Sequence, residues 1–384
     1  MAVKLDEAEA LRAQLRGQTI ILPDLVSWFS NWPSDESEHR EELRLFMDKS
    51  TESVISDEKK IRGVKKCDFA WFTALWYREA SWTDLQTAAL FVLWIFVWDD
   101  EIDTGESAVS TDLKVAKTYR QESLEYARWC LAQQDSNVPW PLAKLPFVSR
   151  IYLKVRRIFC RSKIDEPPPC SVSSMQLFRE WAFTLRTHMN EDQLARLFGQ
   201  VKRYITHCGH EQEERSVGRV PTPDEYMELR MGTSGVEIAC AFHEYFIKSH
   251  LPRWLMNSPE MKNLWRLTNI LLVILNDVLS VKKEITEGNI ISLIPVNFHA
   301  NGNSDLNRVV EETLKDLEVQ MDAFDKTADK LDELTADGPF NKHTMQFVRY
   351  CRRSVTGTLT FTMLSDRYRV KEYLREDGTM HIVL

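Results

Sequence analysis

The 384-residue chain carries 49 Lys and Arg against 57 Asp and Glu, a formal net charge of −8. That balance argues against a nucleic-acid-binding role, which needs clustered basic side chains. With 43% hydrophobic and 28% charged residues the composition is globular, with ample material for a core. The 13 glycines and 14 prolines fall short of the usual share of about 12%. This shortage disfavours strand-and-turn, collagen-like and linker-type chains and favours long helices.

In chain order, residues 1–17 lack an apolar run behind a basic start, so no secretory signal is expected. Residues 1–20 read as a short polar helix or a loose end, residues 370–384 as a second loose end, and Pro23 and Pro33 as the entry to the fold. Residues 36–62 are polar, with Leu43, Leu45, Phe46, Val54 and Ile55 at helical spacing. Residues 69–98 form the most aromatic stretch. Within it the apolar run 88–98 is too short to cross a bilayer and long enough for a core helix, and no membrane span is expected. Breakers at Pro139, Pro141, Pro167 to Pro169, Pro221, Pro223 and Asn301 to Ser304 divide the rest. The segments between them keep apolar spacings of three and four, as in 181–198 and 261–279. Asn301-Gly302 is the main hairpin-type turn and has no strand behind it. None of the seven cysteines sits in a CxxC pair, and free thiols in a reducing cytoplasm are expected. The pattern predicts one all-α domain over residues 1–384, of about ten or more helices.

Two acidic or polar constellations follow apolar runs. The first is Asp99-Asp100-Glu101-Ile102-Asp103. On a helix Asp99 and Asp103 point the same way one turn apart, so they repel each other by a few tenths of a kcal/mol. If Thr104-Gly105 ends the helix, they also sit at its negative end, where basic residues are preferred. Either a solvated helix end or a divalent cation resolves this, and Mg²⁺ suits one or two carboxylates with waters and substrate phosphates.

The second is Asn276 to Glu284. Here Asn276, Ser280 and Glu284, four residues apart, drift only about 80° around a helix and span about 12 Å along it. They form a stripe of amide, hydroxyl and carboxylate oxygens, hard ligands suited to Mg²⁺ rather than zinc. Lys283 stands beside Glu284 and offers a point charge to a phosphate.

These residues resemble the metal-binding signature of class I terpene synthases, a DDxxD motif followed by NDxxSxxxE. The family also carries a diphosphate-sensing Arg, matched by Arg230 in Tyr226-Met227-Glu228-Leu229-Arg230-Met231-Gly232-Thr233-Ser234-Gly235, and a C-terminal Arg-Tyr pair, matched by Arg367-Tyr368. The four matches run in the family's order from residue 99 to 368, and the wording is similar to fungal sesquiterpene synthases. The resemblance implies an all-α fold around a deep apolar cavity with three Mg²⁺ at its mouth. Asp99 and Asp103 would hold two ions, and Asn276, Ser280 and Glu284 the third. Arg230, Lys283, Arg367 and Tyr368 would bind the diphosphate. A helix break near Thr233-Ser234-Gly235 would help trigger ionisation, with Ser234 supplying the carbonyl. Phe96, one turn before Asp99, and Phe361, where relatives often carry Trp, would face the carbocation. Trp71, Phe72, Trp76, Phe91 and Val92 are further candidates for that wall.

The implied activity is Mg²⁺-dependent cyclisation of farnesyl diphosphate to a sesquiterpene by a monomeric or homodimeric cytoplasmic lyase. Cyclases of geranyl or geranylgeranyl diphosphate and chain-elongating prenyltransferases are the alternatives. Prenyltransferases normally carry a second Asp-rich motif where this chain has Asn276-Asp277. His207-Cys208-Gly209-His210-Glu211 resembles a metal-ligand cluster but lacks a second ligand pair. The charge run from Glu211 to Arg219 reads as a solvated face. No Gly-rich phosphate loop, GxSxG, HExxH or DxDD string is present.

Overall fold

The fold is seen in a computed structural model, described over residues 7–103, 107–132 and 167–384. The expected breaks at Thr104-Gly105, Pro139 and Pro141 lie outside those residues. In chain order the described residues form α1 (Glu7–Leu15), β1 (Thr19–Leu22), α2 (Leu25–Trp28), α3 (Arg40–Val54), α4 (Glu58–Lys66), α5 (Phe69–Trp76), α6 (Trp82–Asp103), α7 (Ala108–Thr111) and α8 (Leu113–Cys130). They continue with α9 (Met175–His188), α10 (Glu191–Val217), α11 (Pro223–Thr233), α12 (Val236–Phe246), α13 (Arg253–Met256) and α14 (Pro259–Glu287). The last elements are α15 (Leu293–Ala300), α16 (Leu306–Thr335), α17 (Asn341–Leu364), a 3₁₀ turn at Lys371–Tyr373 and β2 (Met380–Val383).

Local sequence explains where these helices begin and end. Ser258 caps α14 by accepting from the Met261 N–H at 3.1 Å, Pro259 occupies its first turn, and Gly288, at φ 90°, closes it. The helical spacing in residues 36–62 belongs to two helices, since Asp57 caps a fresh start by accepting from the Lys60 N–H at 2.8 Å. Residues 181–198 likewise divide between α9 and α10. Asn190 and Gln193 exchange side-chain and backbone hydrogen bonds of 2.9 and 3.0 Å, a capping box whose signal the apolar spacing hid.

α1 is the short polar helix expected within residues 1–20, whereas the C-terminal residues expected as a loose end join a sheet. β1 pairs antiparallel with β2, with Ile20 opposite Ile382 and Leu22 opposite Met380, all four buried. Alternation of apolar residues in two four-residue strands is too brief a pattern to stand out in sequence, and only pairing makes it informative.

The core is laid out around two apolar helices. α14 packs against α11, α12, α15, α16 and α17. It is long and apolar enough to cross a membrane by composition alone, but 78% of that stretch is buried inside the helical bundle. α6 packs against α3, α5, α7 and α9, and α5 packs against α17. Gly357 permits that last contact, since a Cβ there would lie 2.6 Å from Trp76 Cδ1. Both core helices end in the polar residues singled out above.

Candidate functional site

Asp99 lies on the last turn of α6, facing α10. Tyr204 of α10 donates its hydroxyl to Asp99 Oδ1 at 2.7 Å. Burial pushes the Asp99 carboxyl well above its usual range, and the charges of Asp103, Glu211 and Asp100 add to the rise. Asp103 shares that neighbourhood but is engaged by Arg215, whose Nη2 lies 2.6 Å from its Oδ1. Glu101 turns instead to Lys60 at 2.8 Å.

On α14, Asn276 Oδ1 accepts from Arg230 Nη2 at 3.0 Å. Ser280 donates to Glu284 Oε1 at 2.6 Å, while Glu284 Oε2 is buried and has no partner. Burial and the Asp277 charge push the Glu284 carboxyl up to about 7, against the opposing pull of Ser280, Arg230 and Lys283. Lys283, expected on a phosphate, is held at 2.6 Å by Glu287, one turn further along. Asp277 anchors Arg230, accepting from its Nε at 3.2 Å and Nη2 at 3.1 Å, and also accepts from the Tyr226 hydroxyl.

The two helix ends meet at one dipeptide. Arg367 Nη2 lies 3.2 Å from Asp100 Oδ1 of α6, and the next residue, Tyr368, accepts from Asn276 Nδ2 of α14 at 3.2 Å. Asp100 and Asn276, 176 positions apart in the chain, are thereby tied to two adjacent side chains. Glu211 adds negative charge near Asp103, Arg215 and Arg230, and burial raises its own carboxyl.

Directly beneath Arg367 lie aromatic faces. Its guanidinium sits 5.4 Å from the Phe69 ring centre and 5.1 Å from that of Phe96. Phe96 stacks on Phe69 at 4.2 Å and meets the edge of Phe72 at 5.5 Å. Phe361 contacts Phe72 at 5.1 Å, Trp71 at 5.9 Å and Tyr368 at 6.2 Å, so both expected aromatic residues share this group. Trp76 joins it through Phe72. Phe91 instead packs on Trp181 and Phe242, in a neighbouring aromatic layer with Trp94 and Phe178.

The helix break falls where expected. α11 ends at Thr233, Ser234 lies between helices, and Gly235 takes φ 71° before α12 begins. A Cβ on Gly235 would approach Ile95 Cδ1 to 2.5 Å, and one on Gly232 would meet His207 Cδ2 at 2.2 Å. Asn269 of α14 fastens the break, accepting from Ser234 Oγ at 2.7 Å and donating to the Met231 carbonyl at 2.9 Å. Among the described residues no donor reaches the Ser234 carbonyl oxygen.

The donor set suits a divalent cation of the hard type. Carboxylate, amide and hydroxyl oxygens predominate, the Asp99 and Glu284 carboxyls are electrostatically uncomfortable, and one Glu284 oxygen is orphaned. Tyr204, Glu211, Arg215, Tyr226, Asn269 and Asp277 were not singled out as site residues by sequence. Glu211 and Arg215 belong to the charge run read as a solvated face. They turn inward because α10 runs unbroken through Gly209, whose missing Cβ leaves room for Arg120 Nε, 2.8 Å from where it would stand. Asp277 stands inside the NDxxSxxxE string but off the stripe of Asn276, Ser280 and Glu284, and Tyr204 carries no local signal at all. His207 and His210 lie near each other, but His207 Nδ1 is bonded to the Arg203 carbonyl at 2.9 Å. Neither belongs to a metal-sized cluster among the described residues.

Residues 147–323 match the family described as terpene synthase family 2, C-terminal metal binding. The chain is 27% identical to sesquiterpene cyclase hepA of Aspergillus oryzae, over 100% of this chain and 98% of that protein. It is 27% identical to terpene cyclase braA of Annulohypoxylon truncatum, over 95% and 90%. The fold is similar to that of linalool/nerolidol synthase from Streptomyces clavuligerus in complex with 2-fluorogeranyl diphosphate, with a TM-score of 0.65 and 14% identity, covering 88% of this chain and 98% of that one.

Proposed function

Because the chain belongs to the class I terpene synthase family, we propose that it is a Mg²⁺-dependent cyclase that ionises farnesyl diphosphate. It would release diphosphate and cyclise the carbocation to a sesquiterpene hydrocarbon or alcohol. The observation that carries this reading is the Arg367-Tyr368 pair, whose adjacent side chains touch Asp100 of one motif and Asn276 of the other.

Asp99 with Asp103 would hold two Mg²⁺, and Asn276, Ser280 and Glu284 a third, in the family's pattern. Bound there, the ions supply Lewis-acid neutralisation of the departing diphosphate. Arg230, oriented by Asp277, would hold the diphosphate through its planar fork, which grips two oxygens at once. Arg367 and Tyr368 supply further hydrogen bonds at the same mouth, and Lys283 joins them by exchanging Glu287 for phosphate oxygen. The Ser234 carbonyl, at the break that Asn269 fastens through the Ser234 hydroxyl and the Met231 carbonyl, would turn its dipole toward the developing cation.

Phe96 and Phe361 then face the cation, each aromatic face attracting positive charge by roughly 0.5–2 kcal/mol without reacting. Arg367 already rests against the Phe69 and Phe96 faces, which supports their suitability for a cation. Its movement to the diphosphate would free those faces and help exclude water as the mouth closes.

Incubation with geranyl, farnesyl and geranylgeranyl diphosphates, each with Mg²⁺, followed by gas chromatography–mass spectrometry, tests the reading. A cyclic C15 product from farnesyl diphosphate is expected. Turnover should vanish in Asp99→Ala and Asn276→Ala with the circular dichroism spectrum unchanged. Condensation to longer chains instead of cyclisation, or near-native rates in both variants, would overturn it.

A further inference from the structure

A second, chemically different cluster lies inside the bundle. Cys240 and His243, one turn apart on α12, meet Cys351 of α17. All three side chains are buried, and their ligand atoms lie within 4.8 Å of one another. We propose that Cys240, His243 and Cys351 form a buried zinc site, with a water as its fourth ligand, separate in chemistry from the oxygen-rich helix ends and serving to pin α12 to α17.

The geometry is close to that of a loaded site. Cys351 Sγ lies 3.8 Å from His243 Nδ1, against the ~3.6 Å that separates sulfur and nitrogen ligands across a tetrahedral zinc. The imidazole is also correctly presented. Ser354 Oγ lies 3.3 Å from His243 Nε2 and donates its own proton to the Tyr350 carbonyl at 3.0 Å. With its hydrogen on Nε2 the ring donates to Ser354, an outer-shell bond of the kind that orients metal-bound histidines. Nδ1 is left facing the two sulfurs.

An independent observation points into the same cluster. The Tyr77 hydroxyl is fully buried and has no hydrogen-bond partner. Burial, and then the nearby Cys240, Tyr350 and Cys351, hold this phenol protonated, and its ring lies 6.0 Å from that of His243. A metal-bound thiolate, or a water completing the coordination, would give that orphaned donor an acceptor.

Charge decides which ion fits. Zinc with two thiolates and one neutral imidazole is neutral overall, so the buried site keeps no uncompensated charge, and soft sulfur ligands exclude Mg²⁺. Binding releases the two thiol protons and involves no change of oxidation state.

The test is elemental analysis of tag-free protein from zinc-replete medium, after dialysis against EDTA. About one zinc per chain is expected, falling to under about one-tenth in Cys351→Ser and in Cys240→Ser. A cobalt-substituted sample should show thiolate-to-metal charge-transfer absorption. A mercurial reagent added to the wild-type protein should release the ion stoichiometrically, a readout that needs no variant to fold. Wild-type protein without zinc, variants with undiminished zinc, or thiol counting that reveals a Cys240–Cys351 disulfide would each overturn the proposal. The measurement uses no prenyl substrate, so it stands apart from the cyclase assignment.

Discussion

Asp277→Ala removes the acceptor that holds Arg230 and Tyr226 together. Asp277 is 1% exposed, and Arg230 directs Nε and Nη2 at it from 3.2 and 3.1 Å. Truncation leaves a largely buried guanidinium without its bonded counter-charge, with Glu211 and Glu284 the acidic groups still near it, which costs about 3–5 kcal/mol. Unfolding entropy of about 2.1 cal/mol/K per residue over 384 residues makes the transition worth roughly 0.8 kcal/mol per degree. The melting midpoint should therefore fall by about 4–6 °C. Differential scanning fluorimetry of Asp277→Ala, Arg230→Met and the double variant checks this as a cycle. The double variant should recover part of the loss, because it removes the stranded charge along with the acceptor. A shift in Asp277→Ala below about 1 °C, or a double variant less stable than the sum of the singles, would refute the buried-pair argument.

Other perturbations address the remaining parts of the site. The Glu284 carboxyl titrates at about 7 in the fold against an ordinary 4.5, so its stabilising protonated form is complete below about 4.5 and is lost as pH rises through 7. Glu284→Gln should thus gain on the order of 3 kcal/mol over wild type at pH 8 and little at pH 4.5 in urea unfolding. Equal differences at both pH values would contradict it. Gly232→Ala sets a methyl group 2.2 Å from His207 Cδ2 and should destabilise by about 1–3 kcal/mol, read as a lower urea midpoint at unchanged slope. His207→Ala in the same background should relieve much of that loss. Phe96→Ala is expected to change the product mixture by chromatography more than the rate of diphosphate release. An unaltered mixture would argue against Phe96 as part of the cation's wall.

Much of the fold was legible because its signals are local. Gly and Pro scarcity foretold helices, the apolar run at 88–98 foretold a buried segment, and the ordered motifs from Asp99 to Tyr368 pointed to chemistry before any contact was known. The errors were also local in kind. Apolar spacing continued smoothly across Asp57 and Asn190, where side-chain caps start new helices. The charge run from Glu211 could not reveal that α10 presents Glu211 and Arg215 to the site, because a solvated face and a buried ionic face have the same composition.

The sequence by itself determined the helical class, the polar ends of α6 and α14, and the oxygen-rich character of the side chains there. Helical periodicity and side-chain chemistry are properties of neighbours along the chain, and they need no partner to be read. Tertiary structure alone decided that Asp100 and Asn276 share the Arg367-Tyr368 pair, and that Asp277 braces Arg230. It alone brought Cys351 within reach of Cys240 and His243. Those pairings arise from packing between helices distant in sequence, where close packing selects partners that no spacing along one helix can specify.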